Sequence, residues 1–243
     1  LNYVFAVEFV ELTKGEPEER RARGENERGL HGNAILTSYE IRKPRLLRLQ
    51  GGDQWLDDEQ KRIGSRMALI CELQTPAGPL RAVCTHLESE APPGLRKQQM
   101  KQVLHYLDEE AIDVPTVLGG DLNTWTIDKR NEKERAQLKA DPETPARLLR
   151  PMKWEPLFDD LASHGFAFEE LNDLSRGTYP VPGFPIEARL DWIVARGMRV
   201  AEGESSPDVI PAPYSERLGR PVSDHHTLRV CLDIVTPSGA SSD

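Results

Sequence analysis

Cysteine is scarce: only Cys71, Cys84 and Cys231 occur among 243 residues. They are too few and too scattered for a disulfide framework or a CxxC metal site. All three sit in apolar, strand-like runs, where cysteine acts as a small core residue. Their number suits a reducing, cytoplasmic setting without establishing one. Aromatics make up only 6% of the chain. No stretch approaches the roughly 20 apolar residues of a membrane span, so stable membrane insertion is not expected. Basic charge is not in excess, since 31 Lys plus Arg against 40 Asp plus Glu leave a formal charge of −9. That balance disfavours indiscriminate nucleic-acid binding, which needs a basic footprint, but is compatible with a local basic cleft. There is no HExxH, no GxSxG elbow and no phosphate-binding P-loop, which removes the chemistries those motifs serve. No signal-peptide pattern opens the chain.

The length suits one domain with a substantial core, over residues 1–243, and a monomer is expected. Strands are expected over Tyr3–Leu12, Asn33–Thr37, Arg45–Leu49, Arg66–Gln74, Leu80–Leu87, Val114–Leu118, Arg189–Ala195 and Thr227–Val235. The Thr-Pro-Ala-Gly-Pro segment at 75–79 has the composition of a hairpin turn. Leu95, Gln99, Val103, Leu104 and Leu107 have helical spacing, which predicts a helix over Leu95–Glu110. Asp128–Arg150 reads as a charged helical excursion and Trp154–Ser163 as another helix. Thr13–Leu30 and Gln50–Arg62 read as solvated loops, and Ser238–Asp243 as a polar tail. Strands outnumber helices and do not alternate with them, so an α/β architecture of packed sheets with helices outside is expected.

Four segments carry the chemistry. In Val117–Thr124 a buried strand runs into two glycines and then delivers Asp121 and Asn123. By itself this is equally an Asx-rich turn. Ser223-Asp-His-His226 offers a carboxylate for a metal and, in His225, a base near neutral pH. As an isolated tetrapeptide it reads more readily as a turn with a surface His pair. His86 ends an apolar strand, where a structural histidine is the usual case. Asp191 interrupts an apolar strand and needs a partner. A histidine would serve, because a buried Asp sets an imidazole's tautomer and raises its basicity. Oxygen donors dominate this set, which suits Mg²⁺ or Mn²⁺ better than Zn²⁺. A zinc site on His86, His225 and His226 has too few ligands at typical spacing.

The order of His31-Gly-Asn-Ala-Ile-Leu-Thr-Ser38, Thr85-His-Leu87, Gly120-Asp-Leu-Asn123, Leu190-Asp-Trp-Ile193 and Ser223-Asp-His-His226 resembles the motif series of the endonuclease/exonuclease/phosphatase superfamily, the deoxyribonuclease I-like proteins. The likeness covers essentially the whole chain. It implies a four-layer sandwich of two packed β-sheets flanked by helices. It also implies a metal-dependent phosphoester hydrolase, of phosphodiesterase, nuclease or phosphatase type, that uses Mg²⁺ or Mn²⁺ and an activated water. Matched position by position, Asp121 and Asn123 orient the water and the scissile phosphate. Asp191 pairs with His225, the general base or phosphate-stabilising group. Asp224 and Asp121 are associated with the metal, His86 contacts the phosphate, and Arg66 is a weaker phosphate match.

The family also opens with a strand bearing an Asn and a second strand ending in Gln-Glu, whose Glu is the principal Mg²⁺ ligand. Neither is found here. Leu1–Leu12 resembles the stretch just C-terminal to that Glu, so the missing strands are expected upstream of Leu1, and this chain alone is expected to hold Mg²⁺ weakly. Glu8 and Glu11 are not promoted to ligands. The substrate is left open among a nucleic acid, a lipid head group and a small phosphodiester. Net charge and low aromatic content weigh against a processive nucleic-acid enzyme, and no lipid-inserting segment is evident. The alternative is a non-catalytic module that keeps the fold without the metal site.

Overall fold

The computed structural model describes residues 1–12, 29–52, 55, 61–110, 113–203 and 207–235. The charged segment 13–28, most of the 50–62 loop and the tail from 236 lie outside them. The first strands are β1 (Asn2–Glu11), β2 (Gly29–Thr37), β3 (Glu40–Arg48), β4 (Arg62–Gly64), β5 (Met67–Thr75) and β6 (Gly78–His86). The helix α1 (Pro93–Glu109) and β7 (Thr116–Asp121) come next, then the helices α2 (Glu132–Ala140), α3 (Thr144–Leu149) and α4 (Leu157–Ser163). After them come β8 (Tyr179–Pro180), β9 (Glu187–Ala188) and β10 (Asp191–Arg196).

Two sheets carry the architecture, in the orders β10-β7-β6-β5-β3 and β2-β1-β4. The β5–β6 hairpin closes over Pro76 and Ala77 where the turn composition places it, with Thr75 opposite Gly78. Pro93 opens α1, where a missing N–H costs nothing. The buried face of α1 (Met100, Val103, Leu104, Leu107) packs with Leu157, Phe158 and Leu161 of α4 onto Ala68, Ile70, Val83, Leu118 and Trp192 of the five-stranded sheet. The opposite face of that sheet presents Cys71, Leu73 and Ala82 to Val4 of β1 and Ile35 of β2. Helices, the five-stranded sheet and the three-stranded sheet therefore stack in that order, an α/β sandwich. Cys71 is buried in the core, whereas Cys84 and Cys231 are only partly buried.

One expected inward strand is placed differently. Thr227–Val235 is not a strand of either main sheet. It divides into β15 (Thr227–Arg229), paired with β12 (Asp208–Ile210), and β16 (Leu232–Ile234), paired with β11 (Met198–Val200). The apolar run is broken at Val230–Cys231, where the chain changes partner, and its residues are exposed or half-buried. A short ladder of β13 (Tyr214–Ser215) with β14 (Arg220–Pro221) completes the strands. The Asp128–Arg150 excursion is helical, as its composition suggests. None of the described helices is long and apolar enough to cross a membrane.

Candidate active site

Register builds the centre. β6 runs parallel to β7 with His86 opposite Asp121, and β10 runs antiparallel to β7 with Asp191 opposite Asp121. Neighbouring strands lie about 4.8 Å apart. Three polar residues distant in sequence thus form one row at the end of the sheet. The glycine before Asp121 is required by that closeness. A Cβ at Gly120 would lie 1.8 Å from the Thr85 carbonyl oxygen, and its φ is +155°.

The loop after β7 is equally determined. Asp121 Oδ1 accepts the Asn123 backbone N–H at 2.9 Å. Asn123 adopts φ +50°, a conformation Asn tolerates better than most residues. Its side-chain Nδ2 donates to the Leu87 carbonyl at 2.9 Å, so the amide holds the turn against β6. Thr124 Oγ1 donates to the Arg189 carbonyl at 2.5 Å and accepts from Trp192 Nε1 at 3.0 Å. Both bonds tie this loop to β10.

His225 comes from the loop before β15. Its Nδ1 lies 2.7 Å from Asp191 Oδ2, and its ring meets Tyr179 at 4.9 Å between centroids. Asp191 is itself held, since its N–H and that of Leu190 both donate to Thr178 Oγ1 at 3.0 Å. Burial disfavours the His225 imidazolium, but the Asp191 carboxylate outweighs burial, with smaller help from Asp121 and Asp224, and the pKa rises to about 9. For Asp121, burial pushes the carboxyl up and the neighbouring Asp191 charge adds to it, while His86 and His225 oppose.

A buried polar floor lies behind this row. Glu8, in β1, is 1% exposed. Its carboxylate accepts from Arg66 Nη1 at 2.8 Å and lies 3.2 Å from His86 Nδ1. Arg66 also bonds Glu88 at 3.3 Å and stands over the Trp55 ring at 5.1 Å. Burial works against ionising Glu8, yet His86 and Arg66 hold its pKa below the usual range. For Arg66, burial is outweighed by Glu88 and Glu8, and its pKa is raised.

The sequence-derived residues therefore divide. His86, Asp121, Asn123, Asp191 and His225 come together. His86 Nε2 is 3.6 Å from Asp121 Oδ2, beyond hydrogen-bond distance. Asp224 is exposed beside His225, and the donor triplet of Asp121, Asp191 and His225 does not include it. Arg66 is only 4% exposed and its guanidinium faces two carboxylates, a geometry of support rather than open phosphate contact. His226 is directed elsewhere, 3.7 Å from Glu187 and accepting the Ala212 N–H at 3.4 Å, so the three-histidine zinc arrangement does not form. Thr178 and Tyr179 are not singled out from the sequence, and Glu8 is noted there without being given a role in the site. Glu8 carried a signal, a carboxylate at an inward position of an apolar strand, the same signal that marked Asp191.

Ligand atoms of Asp121, Asp191 and His225 lie within 4.8 Å of one another. The Asp121 and Asp191 carboxylates fit a hard divalent cation by donor chemistry, while His225 Nδ1 is engaged by Asp191. The carboxylate of Glu8, taken up by Arg66 and His86, is not part of that set.

No family model and no curated protein matches the chain. Solved structures do. An endonuclease/exonuclease/phosphatase from Beutenbergia cavernae is 21% identical with a TM-score of 0.57, over 95% of this chain and 53% of that one. This chain thus spans about half the length of that protein. The human Nocturnin catalytic domain, solved with a bound sulfate anion, is 15% identical with a TM-score of 0.55, over 96% of this chain and 72% of its own. An endonuclease/exonuclease/phosphatase family protein from Leptotrichia buccalis is 14% identical with a TM-score of 0.55, again over 96% and 72%.

Proposed function

From the deoxyribonuclease I-like fold that this chain shares with endonuclease/exonuclease/phosphatase proteins, we propose that it is a metal-dependent phosphoester hydrolase acting through the His86–Asp121–Asp191–His225 centre. The observation that carries this reading is the 2.7 Å contact of His225 Nδ1 with Asp191, at the end of the strand row that holds Asp121. Asp191 fixes the imidazole and leaves Nε2 directed to the substrate. With a pKa of about 9, His225 is an imidazolium near neutral pH. It donates a hydrogen bond to a phosphoryl or leaving oxygen, where negative charge develops. Asp121 orients the attacking water, its Oδ1 being fixed by the Asn123 backbone N–H. Asn123 positions Asp121 through its backbone N–H and its bond to Leu87. His86, held by Glu8 and Arg66, faces the substrate from the other side of Asp121. The Asp121 and Asp191 carboxylates would hold Mg²⁺ or Mn²⁺, whose chemistry when bound is to neutralise the phosphoryl oxygens and the leaving oxygen.

The test is hydrolysis of bis(p-nitrophenyl) phosphate by the full-length protein with Mg²⁺ or Mn²⁺. Turnover should vanish with chelator and fall by about 10²–10⁴-fold in His225→Ala. Undiminished activity in His225→Ala removes His225 from the mechanism. No turnover with either ion refutes the hydrolase reading in favour of a non-catalytic module.

A further inference from the structure

The loop and helices beyond Asp121 build a second feature. An apolar cleft of about 330 Å³ lies among α2, α3 and the β8–β9 turn, walled by Trp125, Ile127, Leu138, Leu148, Phe184 and Ile186. That volume is at the small end of ligand sites, roughly 300–1,000 Å³. Its rim is basic, with Lys129, Arg135 and Lys139 against Asp141, in a chain whose net charge is −9. Both aromatic walls have a cation over them. Lys129 Nζ is 4.9 Å from the Trp125 ring and Lys139 Nζ is 5.7 Å from the Phe184 ring.

Tyr179 stands between the cleft wall and the candidate active site. The His225 ring meets Tyr179 at 4.9 Å, and Tyr179 meets Trp125 edge-on at 5.6 Å. Lys129 stands on the cleft side, over the Trp125 ring and 3.8 Å from Glu90. Burial lowers its pKa, and the carboxylates of Glu90 and Asp121 act against that shift. A phosphoester held at His225 would have this basic, aromatic recess on the other side of the Tyr179 ring. Aromatic faces with nearby cations suit a flat ring attached to phosphate, through stacking and charge together. A hydrocarbon chain would use the apolar wall but neither the ring faces nor the cations.

We propose that this cleft is the subsite for a flat aromatic arm of the substrate, a ring of nucleobase size within a few bonds of the reacting phosphorus. The inference rests on the phosphoester reading of the neighbouring centre and gives it a substrate class.

Calorimetric titration of the full-length protein with Mn²⁺ present tests it, using adenosine 5′-monophosphate, inorganic phosphate and decyl phosphate as probes. Adenosine monophosphate should bind about tenfold more tightly than either other probe, a difference of about 1.4 kcal/mol. Phe184→Ser should remove most of that margin and leave phosphate binding unchanged. Phe184 is 43% exposed, so the fold should tolerate the change. Trp125→Ala should act in the same direction. Equal affinity for adenosine monophosphate and phosphate, or full affinity in Phe184→Ser, overturns the cleft assignment while leaving the hydrolase reading standing. Tighter binding of decyl phosphate overturns it in favour of an acyl chain. Failure of every probe to bind, with no turnover of bis(p-nitrophenyl) phosphate, defeats the phosphoester reading and this inference with it.

Discussion

Replacing Arg66 with methionine tests the polar floor beneath the candidate site. The guanidinium lies 2.8 Å from Glu8 and 3.3 Å from Glu88, and the three side chains are 4%, 1% and 3% exposed. Methionine fills much of the space and supplies no charge. Glu8 would keep only the His86 ring, and Glu88 would lose its guanidinium. Breaking a buried pair by removing one partner costs about 3–5 kcal/mol, against about 0–1 kcal/mol for a surface pair. Because two carboxylates share the lost cation, the upper half of that range, about 4–5 kcal/mol, is expected near pH 7.5. Urea unfolding would read it as a lower midpoint at unchanged slope. The pH dependence separates this cause from simple packing loss. In the native protein burial disfavours ionised Glu8, but His86 and Arg66 prevail and its pKa falls below the ordinary 4.5. Its stabilisation is thus present above that ordinary value and lost only as pH falls through the lower folded one. In the variant, burial persists without Arg66, so the carboxyls protonate at higher pH. The penalty should shrink markedly between about pH 7.5 and 5. The triple variant Glu8→Gln, Arg66→Met, Glu88→Gln should recover most of the loss, since no buried charge is left alone. A loss under about 1 kcal/mol, or one equal at both pH values, would mean that these carboxylates are solvated and would refute the argument.

Gly120→Ala should destabilise the fold by about 3 kcal/mol or more, because its Cβ would lie 1.8 Å from the Thr85 carbonyl oxygen at φ +155°. Thermal unfolding would show it, and a melting temperature close to the parent's would contradict the strand register at the site. Asp191→Asn should leave the fold intact and lower bis(p-nitrophenyl) phosphate turnover by about 10²–10⁴-fold. In chelated protein followed by NMR, the same change should move His225 down from about 9, because burial would then be opposed only by the smaller effects of Asp121 and Asp224. An unmoved His225 titration would show that Asp191 is not its charge partner.

Much of the strand series was legible in the sequence because its signals are local. Apolar β-branched runs ending at Gly-Gly, the 75–79 turn and the spacing of Leu95 to Leu107 require no knowledge of what packs against them. The candidate residues were legible for the same reason, since a carboxylate or histidine that ends or interrupts an apolar strand stands out along the chain. Thr227–Val235 was misassigned because an apolar run does not disclose which strand it pairs with. There the ladder partner changes at Val230–Cys231, a choice made by neighbours distant in sequence.

Tertiary structure alone decided how these groups act. Register set His86 and Asp191 on either side of Asp121, and sequence spacing contains no register. The Asp191 contact, acting against burial, sets the His225 pKa near 9, whereas the tetrapeptide Ser223–His226 read more readily as a surface turn. Glu8 became the floor of the site because β1 packs over the sheet that carries His86. The cleft beside it exists because the charged 128–150 excursion folds back, placing Leu138 and Leu148 against Leu190. Chain-local chemistry determined which residues were able to take part. Packing determined which carboxylates are neutralised and which remain to face a substrate, because desolvation and charge pairing depend on what lies within a few ångströms in space rather than along the chain.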